Sequence, residues 1–307
     1  MKLRDFQYRE IHKIKKNVNN VNYYVIRRRP PGAGFFANVI HVIQGIIRAT
    51  EISSIPVVDM QRYFTFYSRT YSIGNTKNAW EYFYKPINNL QLDQIPKNSN
   101  LILSKGERIL GNHWLSDKSQ KYILEPNKIK ELNSIVTKYI VLQPWCELVL
   151  VEIRKYLDWE PTQTLGVFHR FNYILLRPFN HPIQPSLVEL INSVEKRIEN
   201  TNINRIFVST DNSELRKIFH KKFGGLIMRE FRESEYFKDL LVKFIPNFRL
   251  HDSQLVETFG YLFETYLLSE TKSAVLGISS GSVMAAILNN NQWVNPIILY
   301  HGVYGTS

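Results

Sequence analysis

The chain predicts an α/β fold built from two Rossmann-like units that face each other across a cleft. Three observations carry this expectation. Short apolar runs alternate with segments whose apolar residues recur at helical spacing, the pattern of parallel strands covered on both faces. The alternation occurs in two series, separated near residues 125–160. The length of 307 residues is enough for two domains of ordinary size. The expected units are therefore 1–155 and 156–307.

In the first series, Tyr23–Arg27 reads as a strand and RPPGAG (29–34) as a loop. Residues 38–51 read as a helix, because Val39, Ile40, Val42, Ile43, Ile46 and Ile47 form one stripe. Ile55–Asp59 is the next strand, which completes a strand–loop–helix–strand unit. Residues 60–120 are aromatic and irregular, with NAWEYFY (78–84) at their centre, and 127–158 reads as helical. Gly32 and Gly34 match part of a G-x-G-x-x-G turn, with Ala37 in the third position and the acid expected near the end of the second strand met only loosely by Asp59. The other reading is a glycine-rich turn that only enters the helix.

In the second series, residues 165–168 form a strand that delivers His169 and Arg170 to its tip. A loop with Pro178, His181, Pro182 and Pro185 follows, then a helix over 184–199. RIFVST (205–210) is a strand, and DNSELRKIFHKKF is a helix closed by Gly224 and Gly225. LIMRE reads as a short strand, 253–269 as a helix, SAVLGIS (273–279) as a strand and SVMAAILNN as the opening of the next helix.

Ligands of open α/β sheets bind at the carboxyl ends of the strands. That rule singles out the positions after 168, 209 and 278. At the last, ISSGS (278–282) offers small residues, hydroxyls and a helix N-terminus, all suited to phosphate. A serine N-cap in a tight turn explains the same residues. TDNSE (210–214) places Asp211 or Asn212 against a sugar or base, or else starts a helix in the manner of a capping box, with Asp211 three residues before Glu214. An arginine makes paired bonds to phosphate oxygens. Arg170 and Ser279, Ser280, Gly281 and Ser282 would form a diphosphate clamp if their strands are neighbours. His169 would neutralise charge there or pack as a hydrogen-bonded core residue.

Composition narrows the classes. A chain that is 44% hydrophobic and 21% charged is globular, and its one cysteine, Cys146, excludes an internal disulfide and a multi-cysteine zinc site. The net charge is +12, and residues 1–48 hold ten Lys/Arg against Asp5 and Glu10. This favours phosphate-rich partners such as an anionic membrane surface. A solvated basic face explains the charge equally. Specific nucleic-acid binding is set aside, because the basic residues are not interleaved with aromatics. The start lacks an apolar signal core, and no apolar run reaches the roughly 18–20 residues of a spanning helix. The expectation is a cytoplasmic protein, with peripheral contact at the inner membrane surface. No H-E-x-x-H, P-loop, G-x-S-x-G or D-x-D motif occurs, so neither a metal nor a cofactor is expected.

Taken together, the second half resembles the fucosyltransferase superfamily of GT-B fold. That group includes the α-1,6-fucosyltransferases of nodulation and of N-glycan cores, and more distantly the α-1,2- and protein O-fucosyltransferases. LGVFHRFNY looks like the family's V-H-x-R-R-x-D strand end, NHPI (180–183) like its His-Pro stretch, RIFVSTDNSELRKIFHKKFG like its strand–T-D-D–helix segment, and FETYLLSETKSAVLGISSGSV like its final helix–strand–serine motif. In the first half, GAGFFANVIHVIQGIIRA resembles the family's glycine–aromatic–helix opening.

The resemblance implies a GT-B-like fold and a metal-independent, inverting transferase. That enzyme would move fucose from GDP-fucose to a glycan hydroxyl, in polysaccharide or glycoconjugate synthesis. It assigns the donor's diphosphate to Arg170 and to Ser279–Ser282, a guanine edge to Glu264, and the first acid of T-D-D to Asp211, with Asn212 in place of the second. Gly34, Phe35, Asn38 and His41 would line the acceptor side, and Glu81, His41 and Asp59 are the bases considered. The chain departs from the pattern at Phe168, Phe171 and Tyr173, where the family has histidine, a second arginine and aspartate. It departs again at Pro178, in place of a glutamate, at Glu264 for aspartate and at Gly281 for glutamine. These departures leave open a different nucleotide sugar, or a protein that binds nucleotide or glycan without turnover.

Overall fold

The computed structural model describes residues 21–27, 34–104, 124–177, 181–199 and 201–305. Expectations that rest on the basic N-terminus, on Gly32, on Pro178 and on Asn180 fall outside these residues. Two parallel sheets form the frame. The first has strand order β2-β1-β3, with β1 Asn22–Ile26, β2 Ile55–Val58 and β3 Asn100–Leu103. The second has order β5-β4-β6-β7, with β4 Thr164–His169, β5 Arg205–Thr210, β6 Ser273–Gly277 and β7 Ile297–Leu299. Every residue of β4 and β6 is buried, as expected of strands covered on both faces.

Helix α1 Phe35–Glu51 crosses from β1 to β2 and buries Phe36, Val39, Ile40 and Ile43 on the face its spacing sets. The predicted helix over 127–158 is two helices, α2 Pro126–Tyr139 and α3 Pro144–Tyr156. Pro144 restarts the chain at the first turn of α3, where its missing N–H costs nothing. After β4 come α4 Phe171–Leu176, α5 Leu187–Glu199, α6 Ser213–Phe223, α7 Glu235–Phe244, α8 Ser253–Glu270 and α9 Ser280–Asn289. Helix α4 replaces the start of the predicted loop. The predicted LIMRE strand reduces to one parallel bridge, Ile206 to Ile227, beside a short 3-10 turn at Gly224–Leu226.

One apolar core runs from Tyr24 and Ile26 of the first sheet, through α1, to Phe259, Phe263 and Leu267 of α8 and Met284 of α9. Phe83 packs on Phe259 with ring centres 4.6 Å apart. Arg69 pairs with Asp252, the N-cap of α8, which also accepts a bond from the Tyr71 hydroxyl at 3.0 Å. A second core of Leu165, Val167, Leu190, Val194, Leu215 and Phe219 lies between the second sheet and helices α5 and α6. Trp80, Tyr82 and Tyr84 of the aromatic stretch are core residues. No described helix is long and apolar enough to cross a membrane.

Helix α8 lies directly on the backbone of β4. A Cβ at Gly166 would stand 2.5 Å from Leu268 Cδ1 and 2.8 Å from Thr271 Oγ1. Gly166→Ala is expected to destabilise the fold by about 1–3 kcal/mol through overpacking, read as a lower urea midpoint with unchanged slope.

Candidate functional site

Because β4 lies between β5 and β6, the three strand ends singled out in the sequence are neighbours. His169 pairs in register with Thr210, and Phe168 with Leu276. Gln184 staples the ends of β4 and β6 together. Its Oε1 accepts from the Arg170 backbone N–H at 3.1 Å, and its Nε2 donates to Ile278 O at 2.8 Å. Gly277 makes room for it, since a Cβ there would stand 2.5 Å from Gln184 Oε1.

Arg170 is the N-cap residue of α4, so the chain turns away while the side chain stays at the sheet edge. Its Nε lies 3.2 Å from Asp211 Oδ2. Its guanidinium carbon stands 5.1 Å from the Tyr173 ring centre and 5.5 Å from that of Tyr261. Burial works against the charge, but Tyr261 and Asp211 outweigh it and hold the pKa above the usual arginine value. The side chain keeps 25% of its surface exposed, enough to meet a ligand as a fixed cation.

Tyr261 ties this cation to the last strand end. Its hydroxyl bonds with the Ser279 side chain and presses on Gly281, where a Cβ would overlap it. Its ring also meets Phe36 at the start of α1, with centroids 5.0 Å apart. At α9, Ser279 Oγ accepts from the Gly281 N–H at 3.3 Å and Ser282 Oγ accepts from the Ser279 N–H at 2.8 Å. Ser279 and Ser282 are buried and serve as a reciprocal cap, whereas Ser280 is partly exposed.

Three buried polar atoms at the tips of β4 and β5 have no hydrogen-bond partner: His169 Nδ1, Arg170 Nε and Thr210 Oγ1. The Arg170–Asp211 contact is thus an ion pair without a well-aligned hydrogen bond. His169 is fully buried, with Nε2 3.0 Å from Pro185 O. Burial lowers its pKa, against weaker opposing effects of Pro185 and Asp211, and keeps the ring neutral. His169 therefore stands behind Arg170 and not on the exposed edge. Clusters of unpaired buried polar atoms are rare in folded proteins and need a specific cause.

Asp211 and Asn212 divide the tasks expected of them. Asp211 faces Arg170 and accepts from the Asn172 N–H at 3.3 Å. Asn212, not Asp211, is the cap of α6, accepting from the Glu214 and Leu215 N–H groups. Glu264 is buried and accepts from Ser209 Oγ at 3.0 Å and Arg216 at 3.1 Å, with Arg232 at 3.4 Å. Those bonds make it a strut behind the strand ends.

The residues expected on the acceptor side stand by the first sheet. Gly34 caps α1, and a Cβ added to it would meet nothing within 4 Å. Phe35 is buried among Phe36, Tyr67 and Phe83. Buried Asn38 donates to Gly34 O at 3.3 Å, and His41 Nε2 lies 3.0 Å from Arg27 O. Glu81 is buried beside the end of β2, where its carboxylate accepts from Thr76 Oγ1 at 2.9 Å and Asn78 Nδ2 at 2.8 Å. Burial raises its pKa against those bonds, and it raises that of Asp59 against Arg62.

Sequence reasoning missed Tyr261, Tyr173 and Gln184. Tyr261 had a usable signal, since it lies one helical turn before Glu264 on the same face of α8. Gln184 had none, because its task is set by two strands that meet only in the fold. Among the described residues, no cluster of three or more His, Cys, Asp or Glu could hold a metal.

Gln184→Ala leaves Arg170 N–H and Ile278 O without this partner and is expected to cost about 1–3 kcal/mol, measured by urea unfolding. His169 predicts a pH effect. An imidazole with a depressed folded pKa contributes stability that is present above its ordinary value of 6.5 and is lost as pH falls below it towards the folded value. His169→Gln is expected to remove that part of the acid loss in melting temperature.

No family sequence model matches the chain, and no curated protein matches it. Solved structures do. The fucosyltransferase NodZ from Bradyrhizobium superposes with a TM-score of 0.51 at 12% identity, covering 88% of this chain and 94% of that one. NodZ alpha-1,6-fucosyltransferase soaked with GDP-fucose gives 0.53 at 12%, covering 88% and 93%. A mutant of Arabidopsis thaliana FUT1 in complex with GDP gives 0.53 at 11%, covering 97% of this chain and 74% of that one. The chain has the GT-B fold of these fucosyltransferases.

Proposed function

We propose that the protein is a glycosyltransferase that takes a nucleotide-diphosphate sugar, GDP-fucose, at the carboxyl ends of β4, β5 and β6. The observation that carries this reading is the fixed cation Arg170, set among unpaired buried polar atoms and joined through Tyr261 to the N-terminus of α9. Two of the structures that share the fold are of proteins solved with GDP-fucose or GDP, which supports the choice of donor.

The chemistry follows from charge. An acceptor hydroxyl attacks the anomeric carbon from the face opposite the diphosphate, and configuration inverts. The bond from that carbon to the diphosphate oxygen breaks, and negative charge grows on the leaving group. Arg170 and the partial positive charge at the start of α9 stabilise that charge without a metal. The hydroxyl proton passes to a carboxylate on the acceptor side. Glu81 is the proposed base, since burial raises its pKa towards the working range of a general base. The first unit presents the acceptor and the second holds the donor. The basic chain fits transfer to a lipid-linked glycan at an anionic membrane surface, within glycoconjugate synthesis.

A second reading is favoured by Phe171, which stands where the family carries a second arginine. The chain would then bind nucleotide without turnover. GDP release from GDP-fucose in the presence of a mixed oligosaccharide pool separates the two. Wild type is expected to release GDP, and Arg170→Ala to do so roughly a hundredfold or more slowly while remaining folded by circular dichroism. GDP binding without release supports the second reading. Undiminished release by Arg170→Ala contradicts the clamp.

A further inference from the structure

The carboxyl end of β2 is bordered by a cavity of about 420 Å³. That volume falls in the range of small-ligand sites, about 300–1,000 Å³. Such sites are mostly apolar, but Leu92 is the only apolar side chain in this lining. The exposed amides of Gln61, Asn75 and Gln91 stand around it, and Thr76, Asn78 and Glu81 line it deeper in.

The deep wall is fixed before any ligand arrives. Asn78 accepts from the Met60 N–H at 3.0 Å and donates to Val58 O and to Glu81, both at 2.8 Å. Each Glu81 oxygen thus receives one protein bond and keeps capacity for another. Amides present donors and acceptors side by side, the complement of a hydroxyl group, which also does both. The charges in the lining balance, with Arg62 and Lys77 against Glu81 and Asp93. Arg62 is further occupied by Asp59, 3.6 Å away. With Arg62 held by Asp59, the lining has no surplus positive charge to draw an anion, Lys77 opposes a cation, and the wall offers little to an apolar guest.

We propose that this cavity binds a neutral, hydroxyl-rich oligosaccharide. As the acceptor subsite of the transfer it rests on the transferase reading, whereas the binding itself does not. Glu81 at its wall would then touch the sugar directly.

The test is binding to a printed array of neutral di- to tetrasaccharides of glucose, galactose, mannose and N-acetylglucosamine, with uronic-acid analogues alongside. The full chain is compared with Gln61→Ala/Asp93→Ala, whose sites are exposed, and with Arg170→Ala. Wild type is expected to bind neutral glycans, and the double variant to bind them roughly tenfold or more weakly with unchanged melting temperature and GDP affinity. Arg170→Ala is expected to lose GDP affinity and keep glycan binding, so failure of the donor reading is seen separately. No glycan binding by the wild type, equal binding by the double variant, or preference for uronates would overturn the proposal.

Discussion

The structure depends on one buried cation. Arg170 stands at the end of a strand covered on both faces, where a charge is costly unless it is paired. Asp211 comes to it from the next strand end, and two tyrosine rings flank it. Parallel order makes this possible, because it brings the carboxyl ends of β4, β5 and β6 to one edge. Gln184 then ties the ends of β4 and β6 to each other. A charge held this firmly needs no reorganisation when negative charge appears beside it.

The same edge is tied to the rest of the molecule through α8. That helix carries Tyr261 towards the site and Phe259 and Phe263 into the shared core. It also brings Glu264 to Arg216 and Arg232, both of which bond Thr210 O at the tip of β5. Breaking a buried pair of this kind by removing one partner is costly. Phe36 of α1 meets the Tyr261 ring, so the opening of the first helix and the Arg170 edge share one contact. The glycine–aromatic stretch at 34–36 therefore supports the site through packing of its aromatics.

Much of this was legible in the sequence. The buried strands β4 and β6 and the stripe of α1 announced themselves by composition and period, and the strand-end rule then pointed to Arg170 and to Ser279–Ser282. What stayed hidden was set by tertiary structure. Strand β3 is submerged in the irregular stretch that follows residue 60, and β7 is only three residues long. In LIMRE a helix-closing 3-10 turn at Gly224 overrides the apolar run. Glu264 matched a family position, but its pairing with Arg216 and Arg232 stayed hidden, because only the fold brings them to it. Asn212 outcompeted Asp211 as the helix cap because Asp211 is drawn to Arg170.

The edge formed by Arg170 and the start of α9 is proposed to recognise a diphosphate. Calorimetric titration of the full chain with GDP, GMP and guanosine, with and without chelator, tests it most directly. Affinity is expected to rise with each phosphate, guanosine alone to bind weakly, and chelator to change nothing. Equal affinity for guanosine and GDP, or GDP binding that requires a divalent cation, would contradict it.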